Sequence, residues 1–343
     1  MRRTIKAVLA VLVMAGMVSG VAGAAVLNGA GATFPYPLYM KMNTEYNKAT
    51  GEKVNYQGIG SGGGIRQFTS GITDFGGSDA AMTDEQIQAA GGDVLHIPTV
   101  MGAVAICYNL KDVSLALDSD TLAGIFLGKI KKWNDARIKA LNPGENLPDK
   151  PILVAHRSDG SGTTSIFSTY LARVSLEWAS KVGAGKALSW PTGVGGKGNA
   201  GVAGVVKVNE GAIGYVELSY AVTNKLPVAE LKNKAGKFIK PSLDSTSAAA
   251  AGALKDPKIA AMVANGDFRL NLTNAPGAYS YPIVGMTWLL VHKEKSGSKA
   301  GAIKKYLKWA LTTGQQYAPK LLYAPLPDDV KAKVLEAVDS IKS

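Results

Sequence analysis

The stretch HRSDGSGTTSIFS, His156 to Ser168, brings together residue types that work on anions. Arg157 offers a planar fork of N–H donors that matches a tetrahedral oxyanion. Ser161, Gly162 and Thr163 stand at the expected start of a helix Thr164–Val174. Backbone N–H groups there have no intrahelical partner, and the helix dipole is positive. Asp159 either caps a turn or pairs with Arg157. Two other glycine-rich, hydroxyl-bearing stretches begin helices in the same way. In GAGATFPYPLYMKMNTEY, Gly29–Tyr46, Thr33 is a candidate cap and proline stands in the first turn, where its missing N–H would be unpaired anyway. In GIGSGGGIRQFTSG, Gly58–Gly71, Ser61 is a candidate cap and the glycines let a ligand approach the backbone. One such start only keeps a helix from fraying. Three in one chain are the parts of an anion site that needs little formal charge. Asp79, in DFGGSDAAMTDE, is the odd member, a carboxylate whose ordinary role is to cap a turn.

The same stretch also raises nucleophilic chemistry at Ser161, which needs a base within reach and an oxyanion hole. The chain has three histidines, His96, His156 and His292. His156 is expected to end a strand while Ser161 begins a helix. The G-x-S-x-G elbow is not met either, since Thr163 stands two residues after Ser161. A fourth glycine-rich stretch, GVGGKGNAGVAG, misses the phosphate-loop pattern because Gly198 follows Lys197 where a Ser or Thr is needed. It reads as a structural turn and helix start. The single cysteine, Cys107, sits in the apolar run VMGAVAICYNL and is expected to be buried and inert, which excludes thiolate metal sites.

GAGATFP, NYQGIGSGGG, DFGGSDA and RSDGSGTT, together with LGKIKKWND, GVGGKGNAG and GAIGYVE, resemble a known family in order and spacing. It is that of the periplasmic phosphate-binding proteins of bacterial phosphate-specific (Pst) ABC importers. The resemblance covers nearly all of the chain after residue 24. Two small departures are Gly62, where many members have serine, and His156, where many have arginine. Neither position supplies a main ligand in the family. The resemblance implies an α/β, two-lobed periplasmic-binding-protein fold (type II), its lobes joined by two hinge strands with the ligand in the cleft. It implies phosphate ligands at Thr33, Phe34 (through its N–H), Ser61, Asp79, Arg157, Ser161, Gly162 and Thr163, with Asp159 supporting Arg157. It also implies a monomer that delivers phosphate to a membrane permease, with no catalysis, metal or cofactor.

Asp79 then acquires a meaning. Phosphate near neutral pH keeps at least one P–OH, which donates to an ionised carboxylate. Fully ionised sulfate has no proton and would set lone pairs against lone pairs. The rival readings are a secreted phosphatase or serine hydrolase, a receptor for sulfate or molybdate, and an adhesin or nucleic-acid binder suggested by the formal charge of +12. The lysines are scattered without interleaved aromatics or a nucleic-acid motif, so a solvated basic surface is the preferred reading.

These residues need elements to hold them. MRRTIKAVLAVLVMAGMVSGVAGAA reads as a signal peptide over 1–24, with a basic start, an apolar run and a small-residue cleavage site, and with no lipid-bearing cysteine. Its three basic residues are part of the +12, which leaves +9 for the remainder. The exported product is expected in the periplasm. Beyond the leader, β-like runs KVNYQGIG, DVLHIPTV, GAVAICYNL, PILVAHR, GAIGYVE and TWLLVHK alternate with helix-like segments, which points to α/β architecture with mostly parallel sheets. Lobe one is expected over 25–104 plus 283–343 and lobe two over 105–282. The connecting strands are expected around Ala103–Asn109 and Pro282–His292.

Overall fold

The computed structural model describes residues 26–294 and 296–342, so the expected leader over 1–24 lies outside the described residues. Strands β1 (Val26–Gly31), β2 (Lys53–Gly58), β3 (Phe75–Ser78) and β4 (Val94–Tyr108) come first. The middle of the chain holds β5 (Ala116–Leu117), β6 (Leu153–Arg157), β7 (Val194–Gly196) and β8 (Ala212–Glu217). Last come β9 (Glu230–Lys232), β10 (Phe238–Ile239) and β11 (Val284–His292). Eight strands form one sheet in the order β2-β1-β3-β11-β4-β8-β6-β7, and β10-β9-β5 form a small second one.

The outer pairs of the large sheet run parallel, as strands alternating with helices must. The three central pairs run antiparallel. The cause is β4. Its first part, Val94 to Ala103, pairs with β11, and its last part, Val104 to Tyr108, pairs with β8. One strand therefore serves both halves of the sheet. DVLHIPTV and GAVAICYNL, which read as two strands, are a single element of 15 residues. Gly102 is no break within it. A Cβ there would come within 2.7 Å of the Phe34 ring, so glycine is a packing requirement.

Strands β1 and β3 carry little β signal because VLNGAG and FGGS are mostly small residues. Tertiary packing demands those residues. Gly31 has φ +150°, and a Cβ on it would run into the Gly77 carbonyl. The helices Tyr36–Thr50 and Ser61–Thr69 flank this half, and the C-terminal helices Ala300–Leu311 and Asp328–Asp339 return to it. Helices Gly162–Val174 and Gly198–Val208 serve the other half.

The core is continuous and strongly aromatic. In the second half the Tyr215 ring stacks on Phe167 at 4.4 Å. Its hydroxyl takes the Arg157 N–H at 3.1 Å and lies 2.6 Å from Thr164 Oγ1. Burying each such side chain is worth about 1.5–3 kcal/mol, so the loop after β6 is anchored to rigid packing. Cys107 is fully buried, and burial pushes its thiol up to about 12. Among the described residues no helix is long and apolar enough to cross a membrane.

Candidate functional site

The three glycine-rich helix starts come together between the two halves of the sheet. They touch directly: Gly62 N–H donates to the Gly160 carbonyl at 2.8 Å, and Gly162 N–H donates to Ser61 Oγ at 3.1 Å. Ser61, Ser161 and Thr163 are fully buried, and Asp79 and Arg157 nearly so. The cleft is therefore closed around these groups.

The helix starts differ from expectation in how they are capped. Ser161 is a true cap, its Oγ accepting from Thr164 N at 3.0 Å, and its helix runs Gly162–Val174. Thr33 and Ser61 do not cap. The helix Tyr36–Thr50 is preceded by Pro35, and Ser61 is already the first residue of its helix after Gly60. Their hydroxyls have been released for other work. Ser61 Oγ accepts from Asp79 N and Gly162 N, both at 3.1 Å, and lies 3.3 Å from Asp79 Oδ2. Thr33 Oγ1 accepts from Asn199 N at 3.1 Å and from Asn199 Nδ2 at 2.9 Å. Phe34 is fully buried, and its carbonyl lies 2.7 Å from the Tyr323 hydroxyl. That fixes the Thr33–Phe34 turn, and the Phe34 N–H has no hydrogen-bond partner among the described residues.

Arg157 ends β6 with its side chain only 2% exposed. Asp159 grips it bidentately, Nε to Oδ1 at 2.8 Å and Nη2 to Oδ2 at 2.6 Å. Nη1 is directed to Thr163 Oγ1 at 3.3 Å. Burial alone would push the Asp159 carboxyl up, but the Arg157 fork more than offsets this and leaves it below the usual carboxylate range. Asp159 Oδ1 also accepts from Gly198 N at 3.0 Å, tying in the start of a fourth helix.

Asp79 does not cap a turn. It follows β3, and its Oδ1 accepts from Thr287 Oγ1 at 2.7 Å. Burial raises its carboxyl from 3.8 to about 7, against the pull of Thr287, Arg157 and Ser61. The Thr33 and Thr163 hydroxyl oxygens already accept two N–H groups each, which leaves their protons for the space between them, whereas Ser61, which also accepts two, gives its proton to Asp79 Oδ2 at 3.3 Å. Asp79 is the one buried carboxylate among these donors. The arrangement can hold a tetrahedral oxyanion, with Asp79 as the buried carboxylate acceptor among its donors.

Catalysis has no matching geometry. The His156 ring stacks on Trp190 at 4.8 Å with Nδ1 3.0 Å from the Arg157 carbonyl. His96 Nε2 accepts from Met82 N, and His292 pairs with Asp93. Among the described residues no group of three His, Cys, Asp or Glu could hold a metal ion.

Hydrogen bonds link Ser61 to Asp79 and Gly162, and Arg157 to Asp159 and Thr163, while Thr33 joins Thr163 through a further residue; Ser161 instead caps its own helix, with its N–H on the Lys186 carbonyl at 2.8 Å. The further residue, which sequence reasoning missed, is Asn199, in the GVGGKGNAG stretch that read as structural. Its amide joins Thr33 to Thr163, where it lies 3.1 Å from Thr163 Oγ1. The missing Ser or Thr after Lys197 argued against a phosphate loop and drew attention away from the polar residue beyond it.

Residues 19–313 match the family model described as the PBP superfamily domain. The chain is 46% identical over 316 residues to the phosphate-binding protein PstS of Xylella fastidiosa, covering 91% of this chain and 84% of that protein. It is 44% identical over 339 residues to the phosphate-binding protein PstS of Methanocaldococcus jannaschii, covering 92% and 86%. Among solved structures it resembles PfluDING, a high-affinity periplasmic phosphate-binding protein bound with phosphate, with a TM-score of 0.70 at 23% identity over 90% and 93% of the two chains. A phosphate-binding protein from Stenotrophomonas maltophilia gives a TM-score of 0.71 at 19% identity over 91% and 94%. These likenesses establish the two-lobed α/β fold.

Proposed function

We propose that this chain, which belongs to the PBP superfamily and within it to the family of the phosphate-binding protein PstS, binds inorganic phosphate between its lobes and delivers it to a membrane ABC permease. Its role is to bind and not to catalyse. The observation that carries the reading is a closed, buried cluster of N–H and hydroxyl groups around Arg157 with one buried carboxylate, Asp79, among them. The ligands are Thr33, Phe34, Ser61, Asp79, Arg157, Ser161, Gly162 and Thr163, and Asp159 holds the guanidinium in place.

Selectivity follows from the donor count. The Thr33, Thr163 and Ser61 oxygens have no lone pair to spare, so a P–OH proton finds its acceptor at Asp79. Above about pH 7 Asp79 is ionised and serves that proton. A proton-free anion such as sulfate meets a negative carboxylate in a dry site, an unmade contact that is costly.

The lobes are proposed as 25–104 with 283–343, and 105–282. The exchange of partners along β4, Ala103 with Val284 and Val104 with Glu217, supports that division. Strands β4 and β11 then carry the hinge, which permits closure on a ligand. The leader over 1–24 is proposed to send the chain to the periplasm, where it acts as a monomer. Titration calorimetry tests the function. One phosphate per chain, insensitive to chelator, with sulfate far weaker, is expected. Absence of phosphate binding would overturn the reading, and equal affinity for both anions would overturn the role of Asp79.

A further inference from the structure

We infer that Asn199 is a positioning residue that makes the Thr33 and Thr163 hydroxyls, one from each lobe, act only as donors toward the bound anion. The inference rests on the phosphate-binding reading. Asn199 is fully buried near the start of the helix Gly198–Val208. Its Oδ1 accepts from Glu217 N at 2.9 Å, which fixes which end of the amide is oxygen. The two Nδ2 protons must then point the other way. One goes to Thr33 Oγ1 at 2.9 Å and the other to Thr163 Oγ1 at 3.1 Å.

A hydroxyl has one proton and two lone pairs. Thr33 Oγ1 receives a second N–H from the Asn199 backbone at 3.1 Å, and Thr163 Oγ1 receives one from Arg157 Nη1 at 3.3 Å. Both lone pairs of both oxygens are engaged. Each hydroxyl proton is the only free valence left, and it is directed away from Asn199. Without the amide, either threonine could rotate and offer a lone pair to a protonated ligand oxygen. The site would then hold more than one acceptor, and the discrimination vested in Asp79 would weaken. Because Thr33 and Thr163 lie on opposite sides of the cleft, the amide engages both only when the lobes meet. Asn199 therefore couples closure to the orientation of the donors.

A double-mutant cycle tests this, with phosphate affinity read by calorimetry in wild type, Asn199→Ala, Thr33→Val, Thr163→Val and the combined variants. Asn199→Ala alone should weaken binding about 10- to 100-fold, the size of lost hydrogen bonds to a charged group. Its added cost should shrink when both threonines are valine, because the protons it orients are gone. Equal losses in both backgrounds, or no loss in wild type, would overturn the proposal. Asn199→Asp is the second variant. It keeps the shape and the acceptor for Glu217 N but turns the threonine protons toward itself. It should bind phosphate more weakly than Asn199→Ala, whereas a merely space-filling role predicts that it binds better. Should wild type bind no phosphate, the function falls while this claim is still read from the side-chain amide exchange of Asn199. Slow exchange that Thr33→Val accelerates supports the claim, and fast exchange in wild type removes it.

Discussion

At the scale of single residues, the site depends on a few protons being held in fixed places. Arg157 is a buried cation whose charge is matched by Asp159, so it contributes direction as much as charge. Arg157→Ala should leave the fold intact and weaken phosphate binding by about 1.5–3 kcal/mol, the range for a charge-assisted bond. Calorimetry with circular dichroism checks this, and an unchanged Kd would show that the guanidinium does not face the ligand. Asp79 makes a pH-dependent prediction. Burial raises its carboxyl to about 7. Above that value it is ionised and repels a proton-free anion; below it, the acid proton becomes a donor that such an anion can accept. Sulfate should therefore compete better against labelled phosphate as pH falls through about 7. In Asp79→Asn the competition should be stronger than in wild type above about pH 7, match it below, and lose its pH dependence. A sulfate-to-phosphate ratio that matches wild type across the range would remove the proton-reading role.

At the scale of elements, the site is a meeting of helix starts, and their closeness is itself a requirement. Gly162 opens its helix against the opposite lobe. A Cβ there would stand 2.5 Å from both Asp79 Oδ2 and Ser61 Oγ. Under the proposed lobe division these two lie in the first lobe and Gly162 in the second, which makes the clash a consequence of closure. Gly162→Ala should thus fold and stay open. Phosphate binding should be lost or nearly so, while thermal unfolding without ligand stays close to wild type. Small-angle scattering should show wild type contracting with phosphate and the variant unchanged. A variant that contracts normally would mean that the helix starts are farther apart in the working protein.

At the scale of the whole molecule, a second buried acid ties distant parts of the chain together behind the Thr33–Phe34 turn. Glu217 ends β8 and is fully buried, with Oε1 unpartnered. Its Oε2 accepts from Ser219 N at 3.0 Å and lies 2.8 Å from the Tyr323 hydroxyl. That hydroxyl has one proton and also lies 2.7 Å from the Phe34 carbonyl. The contacts are reconciled when Tyr323 donates to Phe34 and a neutral Glu217 donates to Tyr323. Burial accordingly raises Glu217 from 4.5 to about 8. A raised acid favours the folded state while protonated. That contribution is complete below the unfolded value of 4.5 and is lost as pH rises to about 8. Asp79 adds to the same trend up to about 7. Glu217→Gln should flatten the decline, so denaturant unfolding at pH 6 and pH 9 should differ less than in wild type. An equal decline in the variant would place the ionising group elsewhere.

The sequence by itself determined much of this protein. Three helix starts rich in glycine and hydroxyls, an arginine before one of them and an aspartate after a small-residue turn specified an anion site, because capping and anion binding use the same unpaired N–H groups. The order of those motifs carried the family. Periodicity placed β2, β6 and β8, whose apolar runs are long enough to read. It lost β1 and β3, where small residues are chosen by the neighbour pressed against them and so carry no strand pattern. It also divided β4, because Gly102 looks like punctuation until the Phe34 ring is seen above it. Only the tertiary structure decided that Thr33 and Ser61 hold back their hydroxyls from capping, that Asp79 sits dry enough to titrate near neutrality, and that Asn199 and Glu217 stand where the lobes meet. Those facts depend on contacts between residues far apart in the chain, Thr33 with Asn199 and Phe34 with Tyr323, which no local pattern encodes.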